Sequence, residues 1–344
     1  MPSFSQCETA ATALLTKTPH AVVNFVGAPG LGKTACTLKV GANLGLSGPR
    51  ILVVHVNNHD IVDFTGVPSV TDDGMTIFNP PKMFYDFREG TGPGLIVLEE
   101  LAQASTHHQT WAAGFILERE TPTFKLDPEV RIICTGNRAQ DKAGAKPLLG
   151  HLNDRMYHFD MDTSVDDWSG HAIESGVDPL GVAFIRLRPD LLNNYDPNNR
   201  SNGTQRSWYK LFTEVPADLP TALYLTIAEG KVGEGNAAEW VAARDMMHKM
   251  PSIDSVRLHP DRAEVPTEPA VKFAVATALS MTATPDSFGR DMQYVSRLPK
   301  EFQMVYVTDA LVCTMRQPET STVGEGVTVT SAMMPPDVSS HWVY

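Results

Sequence analysis

Through residues 1–200, short unbroken apolar runs alternate with stretches of helical pattern. Residues 21–26 (AVVNFV), 51–56 (ILVVHV), 95–101 (LIVLEEL) and 130–137 (VRIICTGN) are β-branched and aliphatic runs too short for helices. Runs of this kind suit strands covered on both faces, as in a parallel sheet. Residues 156–162 (MYHFDMD) alternate apolar and polar positions and add a fifth strand. Helical patterns fall between them: a helix opened by a capping box at Ser5-Gln6-Cys7-Glu8, then residues 34–46, 101–120, 144–154, 166–176 and 178–192. Asp72-Asp73-Gly74 followed by MTIF reads as the turn and second arm of a hairpin, which Pro80-Pro81 ends. Strand and helix in alternation predict an α/β fold, an open parallel sheet flanked by helices.

Beyond residue 200 the strand signals vanish, and residues 205–215, 221–228, 237–250, 268–283, 288–295 and 302–315 read as helices. The segment DPNNRSNGTQ, rich in turn formers, separates the two regimes and sets the expected boundary: an α/β domain over 1–200 and a helical domain over 201–344. Residues 251–266 read as a loop, and residues 323–344 as an extended tail with one short strand.

Composition narrows the class without naming a function. A chain of 344 residues with 42% hydrophobic and 20% charged content is ordinary for a globular protein. The sequence holds no apolar stretch of membrane-spanning length and no secretory start, and its four scattered cysteines form no C-x-x-C pair; the expected compartment is the cytoplasm. A formal net charge of −12 argues against nucleic acid as a partner without excluding it.

The chemistry begins at the end of the first strand. Gly27-Ala28-Pro29-Gly30-Leu31-Gly32-Lys33-Thr34 fits the phosphate-loop pattern G-x-x-x-x-G-K-[ST], and it stands between a strand and a helix as that pattern requires. Glycines let the backbone amides and the helix N-terminus face phosphate oxygens, Lys33 reaches the β- and γ-phosphates, and the Thr34 hydroxyl ligates Mg²⁺. A glycine-rich turn that merely precedes a lysine is the plainer alternative. The strand over 95–101 carries Glu99 and Glu100 at its carboxyl end, where ligands of parallel sheets sit. Glu99 suits the metal's water shell and Glu100 the polarisation of an attacking water; a solvated helix start is the alternative. His107 and His108 are adjacent, cannot share one helix face, and read as surface residues.

An α/β domain with this loop, a helical second domain and Asn137 ending the next strand resembles the AAA+ ATPases. The stretch DFTGVPSVTDDGMTIFNPP and the runs LIVLEEL, IICTGNR, HLNDRMYHFDMD, FIRLRPDLL and TQRSW look like the MoxR branch, over residues 20–315. The resemblance implies that Asn137 is the first sensor, that Arg155 is the arginine finger of a neighbouring subunit, and that Arg206 is the second sensor on a helical lid. For Arg155 a surface charge before a strand remains open, and for Arg206 a helix-start residue. One departure is that Glu99 stands where the family has Asp, one methylene farther from the backbone, and Mg²⁺ tolerates altered geometry poorly. The implied activity is Mg²⁺-dependent ATP hydrolysis in a homo-oligomeric ring, a hexamer, that remodels a protein client, with a von Willebrand factor A domain protein as the implied partner. A nucleotide-gated scaffold with negligible hydrolysis and a nucleic-acid motor or loader are the alternatives.

Overall fold

The computed structural model describes residues 1–141, 144–247 and 249–314, without the side chains of 312 and 314. The tail expected over 323–344 lies outside the described residues. Two compact units divide the chain: the first holds Met1–Ser164 with Tyr195–Arg200 and Thr204–Arg206, the second Val165–Asn194, Ser201–Gly203 and the chain from Ser207.

In the first unit β1 (Val22–Val26), β2 (Ile51–His55), β5 (Gly94–Glu99), β6 (Val130–Gly136) and β7 (Tyr157–Asp160) form one parallel sheet in the order β2-β5-β6-β1-β7. The expected α/β architecture is therefore present. β3 (Val67–Val70) and β4 (Thr76–Asn79) pair antiparallel as the expected hairpin, with Val67, Val70, Met75, Ile77 and Phe78 exposed. Alternate residues of the central strands feed two cores, which is why the runs are apolar throughout. Val22, Ile96, Leu98, Ile132 and Cys134 pack on one face with Phe64, Phe84, Ala112 and Phe115. Val23, Phe25, Leu95, Val97 and Ile133 pack on the other with Cys7, Leu15, Cys36 and Val40.

The helices of this unit are α1 (Phe4–Lys17), α2 (Lys33–Asn43), the one-turn α3 (Ile61–Thr65) and α4 (Lys82–Tyr85), α5 (Thr106–Glu118) and α6 (Gly150–Asn153). Several boundaries differ from expectation. Ser3, not Ser5, caps α1, with Gln6 completing the box. Residues 101–103 form a 3-10 turn before α5 starts, and the helix expected over 144–154 is one turn long. His107 is exposed as expected, whereas His108 is half-buried, with Nδ1 at 2.7 Å from Ser105 Oγ and Nε2 at 3.0 Å from the His59 carbonyl. An edge-to-face contact with Phe64 accounts for the rest of its burial.

The second unit contains α7 (Val165–Glu174), α8 (Pro179–Leu187), α9 (Gln205–Glu214, its first two residues counted with the first unit), α10 (Thr221–Val232), α11 (Glu234–Met247), α12 (Ile253–Leu258), α13 (Pro269–Met281), α14 (Pro285–Val295) and α15 (Lys300–Thr314). The division falls at 164/165, not at 200, because Trp168, Val182 and Phe184 share a core with Trp208, Phe212 and Trp240. The Trp208 indole donates to the Leu191 carbonyl at 2.7 Å. A second core gathers Val275, Leu279, Tyr294 and Tyr306. Within the expected loop over 251–266, α12 is a correction: Ser252 caps it and Val256 enters that second core. Among the described residues no helix is long and apolar enough to cross a membrane.

Candidate functional site

At the carboxyl edge of the sheet, β1 runs into the loop 27–32 and α2 begins at Lys33. Gly30 (φ 82°) and Gly32 (φ 79°) are left-handed, a conformation costly for residues with a Cβ. A Cβ at Gly30 would also stand 2.9 Å from Thr204 Oγ1, so the segment Thr204–Arg206 lies against the loop within the same unit. Ala28 and Leu31 turn into the core while Pro29 is half-buried, so backbone groups and Lys33 are what the loop can offer a ligand. No side chain caps α2.

The Lys33 ammonium uses three donors on its own surroundings: the carbonyls of Gly27 at 2.9 Å and Ala28 at 3.0 Å, and Asn137 Oδ1 at 2.7 Å. Burial, with the nearby Arg206 guanidinium, lowers its pKa to about 8 against the pull of Glu99, Asp141 and Glu100. Residues from four separate segments therefore act on one ammonium. Thr34 follows it, half-buried, with its carbonyl taken by Thr37 Oγ1 at 2.6 Å.

Glu99 is the last residue of β5 and is buried, whereas Glu100 is exposed and left-handed at φ 59°. A non-glycine residue at positive φ is uncommon outside turns and functional sites. The Glu100 amide donates to Thr135 Oγ1 at 3.2 Å, which ties the strained turn to β6. Five carboxylates are buried among the described residues: Glu99, Asp127, Asp141, Asp291 and Asp309. Asp127 accepts three backbone amides, Asp141 and Asp309 each meet an arginine, and Asp291 meets Arg257, Ser287 and Tyr306. Glu99 alone of the five keeps a buried oxygen, Oε1, with no hydrogen-bond partner.

That orphaned oxygen, on a residue within electrostatic reach of Lys33, fits a hard cation better than a structural role. The described residues contain no group of three or more His, Cys, Asp or Glu able to hold a metal.

Asn137 follows β6 and its Oδ1 accepts from the Lys33 ammonium. The Arg138 guanidinium binds both oxygens of Asp141, at 3.1 Å each, and the Asp141 carbonyl accepts the Tyr195 hydroxyl at 3.3 Å. Arg206 is exposed, within electrostatic reach of Lys33. Arg155 is not brought to this cluster: it is half-buried and donates to the Ala113 carbonyl of α5. His55, Thr135 and Asp141 escaped the sequence reading. The first two are brought to the acidic turn by strand register, His55 being the ladder partner of Glu99, and register is not written in spacing. The i,i+3 spacing of Arg138 and Asp141 could have revealed that pair.

The strand order, the loop leading from the interior strand β1 into α2 and the acids ending β5 together define the fold class. The fold is AAA+-like. No protein-family model and no curated protein matches the chain. Among solved structures it is similar to NtrX from Brucella abortus, at 13% identity and TM-score 0.37 over 89% of this chain and 67% of that one. It is similar also to a putative ATPase from Cytophaga hutchinsonii, at 14% and 0.34 over 87% and 79%. NtrX in complex with ATP matches at 12% and 0.33 over 91% and 62%, so this chain spans less than two thirds of that relative. Likenesses this distant bear no weight on function; the residues at the sheet edge do.

Proposed function

We propose that the chain binds ATP with Mg²⁺ at the carboxyl edge of its sheet and hydrolyses it as a ring-forming AAA+ ATPase of the MoxR type, a cytoplasmic remodeller of a protein client. The observation that carries this is the convergence of Asn137, Glu99, Glu100 and Arg206 on the Lys33 ammonium inside a left-handed glycine loop. Lys33 already points three donors inward, and it exchanges carbonyl and amide acceptors for the β- and γ-phosphates. Charge-assisted bonds to phosphate are stronger than the neutral ones they replace.

When bound, Mg²⁺ would neutralise phosphate charge; Thr34 would ligate it and the free oxygen of Glu99 would face its water shell. Glu100, exposed on its strained turn, takes a proton from the attacking water; Asn137, released from Lys33, orients that water. Arg206 meets the γ-phosphate in its own chain, and Arg155 leaves the Ala113 carbonyl to meet that of a neighbour. Both present cationic forks to developing charge. A helical lid, residues 201–344 in the sequence division, belongs to this proposal through resemblance. A hexamer and a von Willebrand factor A partner belong to this proposal through resemblance.

A finger supplied in trans leaves a monomer's site incomplete, so turnover per chain is expected to rise with protein concentration. Arg155→Ala is expected to remove hydrolysis while ATP affinity stays within threefold, an estimate of about 0.6 kcal/mol. Concentration-independent turnover together with an active Arg155→Ala would defeat the ring. Glu99 in place of Asp favours a second reading, a nucleotide-gated scaffold that binds ATP and hardly hydrolyses it; Glu99→Asp then raises turnover sharply. A net charge of −12 leaves a nucleic-acid motor third, to be recognised by salt-sensitive stimulation with DNA or RNA.

A further inference from the structure

The buried Glu99 is flexible by composition, since its carboxylate swings on one more torsion than an aspartate's. Yet its two oxygens have different surroundings. Oε2 lies 3.6 Å from His55 Nδ1, while Oε1 is buried with no partner. His55 is the last residue of β2 and the direct ladder partner of Glu99 in the parallel pairing of β2 with β5. Both side chains leave the same end of adjacent strands, and backbone hydrogen bonds fix their separation.

The His55 side chain is 42% exposed, so core packing does not explain its place. At 3.6 Å the contact is longer than a formed hydrogen bond, and the ring occupies the space on one side of the carboxylate. Lys33 within the loop and His55 on the neighbouring strand both lie within reach of Glu99. Lys33 is satisfied by three acceptors, none of them Glu99. His55 is left as the neighbour that distinguishes one oxygen from the other.

We infer that His55 is a positioning residue for Glu99: it holds Oε2, removes the freedom of the extra methylene, and leaves Oε1 as the oxygen presented to the metal's water shell. It touches neither nucleotide nor metal. Outer residues that orient a ligating group typically govern metal affinity by ~10–100-fold. This inference rests on the magnesium-nucleotide reading above, and the two fail differently.

The test is binding of a fluorescent ATP analogue to the full chain, titrated with Mg²⁺ and repeated in EDTA. His55→Ala is expected to raise the Mg²⁺ concentration needed for half-maximal enhancement by about 10-fold. Binding in EDTA stays as in wild type and reports an intact loop and fold. His55→Gln, which retains a side-chain donor, is expected to restore most of the loss. In a Glu99→Asp background, whose shorter carboxylate withdraws from β2, His55→Ala is expected to change the Mg²⁺ requirement less than twofold, a coupling read from the double-mutant cycle. An unchanged Mg²⁺ requirement in His55→Ala, or the same loss in both backgrounds, overturns the positioning role and leaves the nucleotide reading standing. Absence of any binding by wild type overturns both.

Discussion

Asp291 in the helical unit and Glu99 at the sheet edge are both buried acids, but their surroundings are opposite. Asp291 is fully buried and receives Arg257 Nε at 2.8 Å, Arg257 Nη2 at 2.9 Å, Ser287 Oγ at 3.0 Å and the Tyr306 hydroxyl at 3.2 Å. Glu99 has a histidine at 3.6 Å and one oxygen with nothing. An unsatisfied buried polar group costs about 1–3 kcal/mol, and a left-handed non-glycine residue such as Glu100 adds a cost of similar order. Asp291 is spent on holding α12 to α14. The sheet edge keeps unpaired charge and strain where a ligand can relieve them.

The largest effect expected from breaking this contrast is in the helical unit. Arg257→Ala strands the Asp291 charge and is expected to cost about 3–5 kcal/mol in urea unfolding. Lys33→Ala comes next: it is expected to weaken ATP binding by ~100-fold, measured by calorimetry, because a charged hydrogen-bond donor to phosphate is lost. Glu99→Gln should be smaller still for stability, within about 1 kcal/mol of wild type, since its orphan oxygen satisfies nothing. The same substitution removes the Mg²⁺ enhancement of ATP binding, whereas a comparable unfolding result for Asp291→Asn would erase the distinction between the two acids.

The finest expected difference is in the sign of the pH dependence. Lys33 titrates at about 8 in the folded chain and near its ordinary 10.5 when unfolded. Between those values the unfolded chain binds more protons, so Lys33 makes stability rise with pH across about 8 to 10.5. Tyr294, pushed by burial from 10 up to about 12, works the other way: the unfolded phenol ionises first, and stability falls as pH rises from 10 towards 12. Unfolding of wild type, Lys33→Met and Tyr294→Phe across pH 7–12 separates the two contributions; a rising limb that survives in Lys33→Met would contradict the assignment.

Four of the sheet strands were legible as continuous apolar runs and β7 by its alternation, and each of the five lies within two residues of its expected ends. The phosphate loop was legible because its eight residues are contiguous. Partners joined across strands were not. Lys33 and Asn137 are 104 positions apart, and their meeting, like that of His55 with Glu99, depends on which strands are neighbours. The six-residue α12 escaped notice because it is too short for a periodic signal. Amphipathic α7 and α8 announced an apolar face but not which core it would join, so the turn-rich segment after them looked like the boundary.

The most direct test of the central claim, a phosphate site completed by an adjoining copy of the chain, is complementation between two inactive variants. Lys33→Ala lacks a working loop but carries Arg155; Arg155→Ala has the loop but no finger. Mixed in equal amounts, they are expected to recover about a quarter of wild-type ATPase activity, the share of interfaces in a randomly assembled ring that pair an intact loop with an intact finger. A mixture as inactive as its two components, in a protein whose wild type hydrolyses ATP, would contradict the claim.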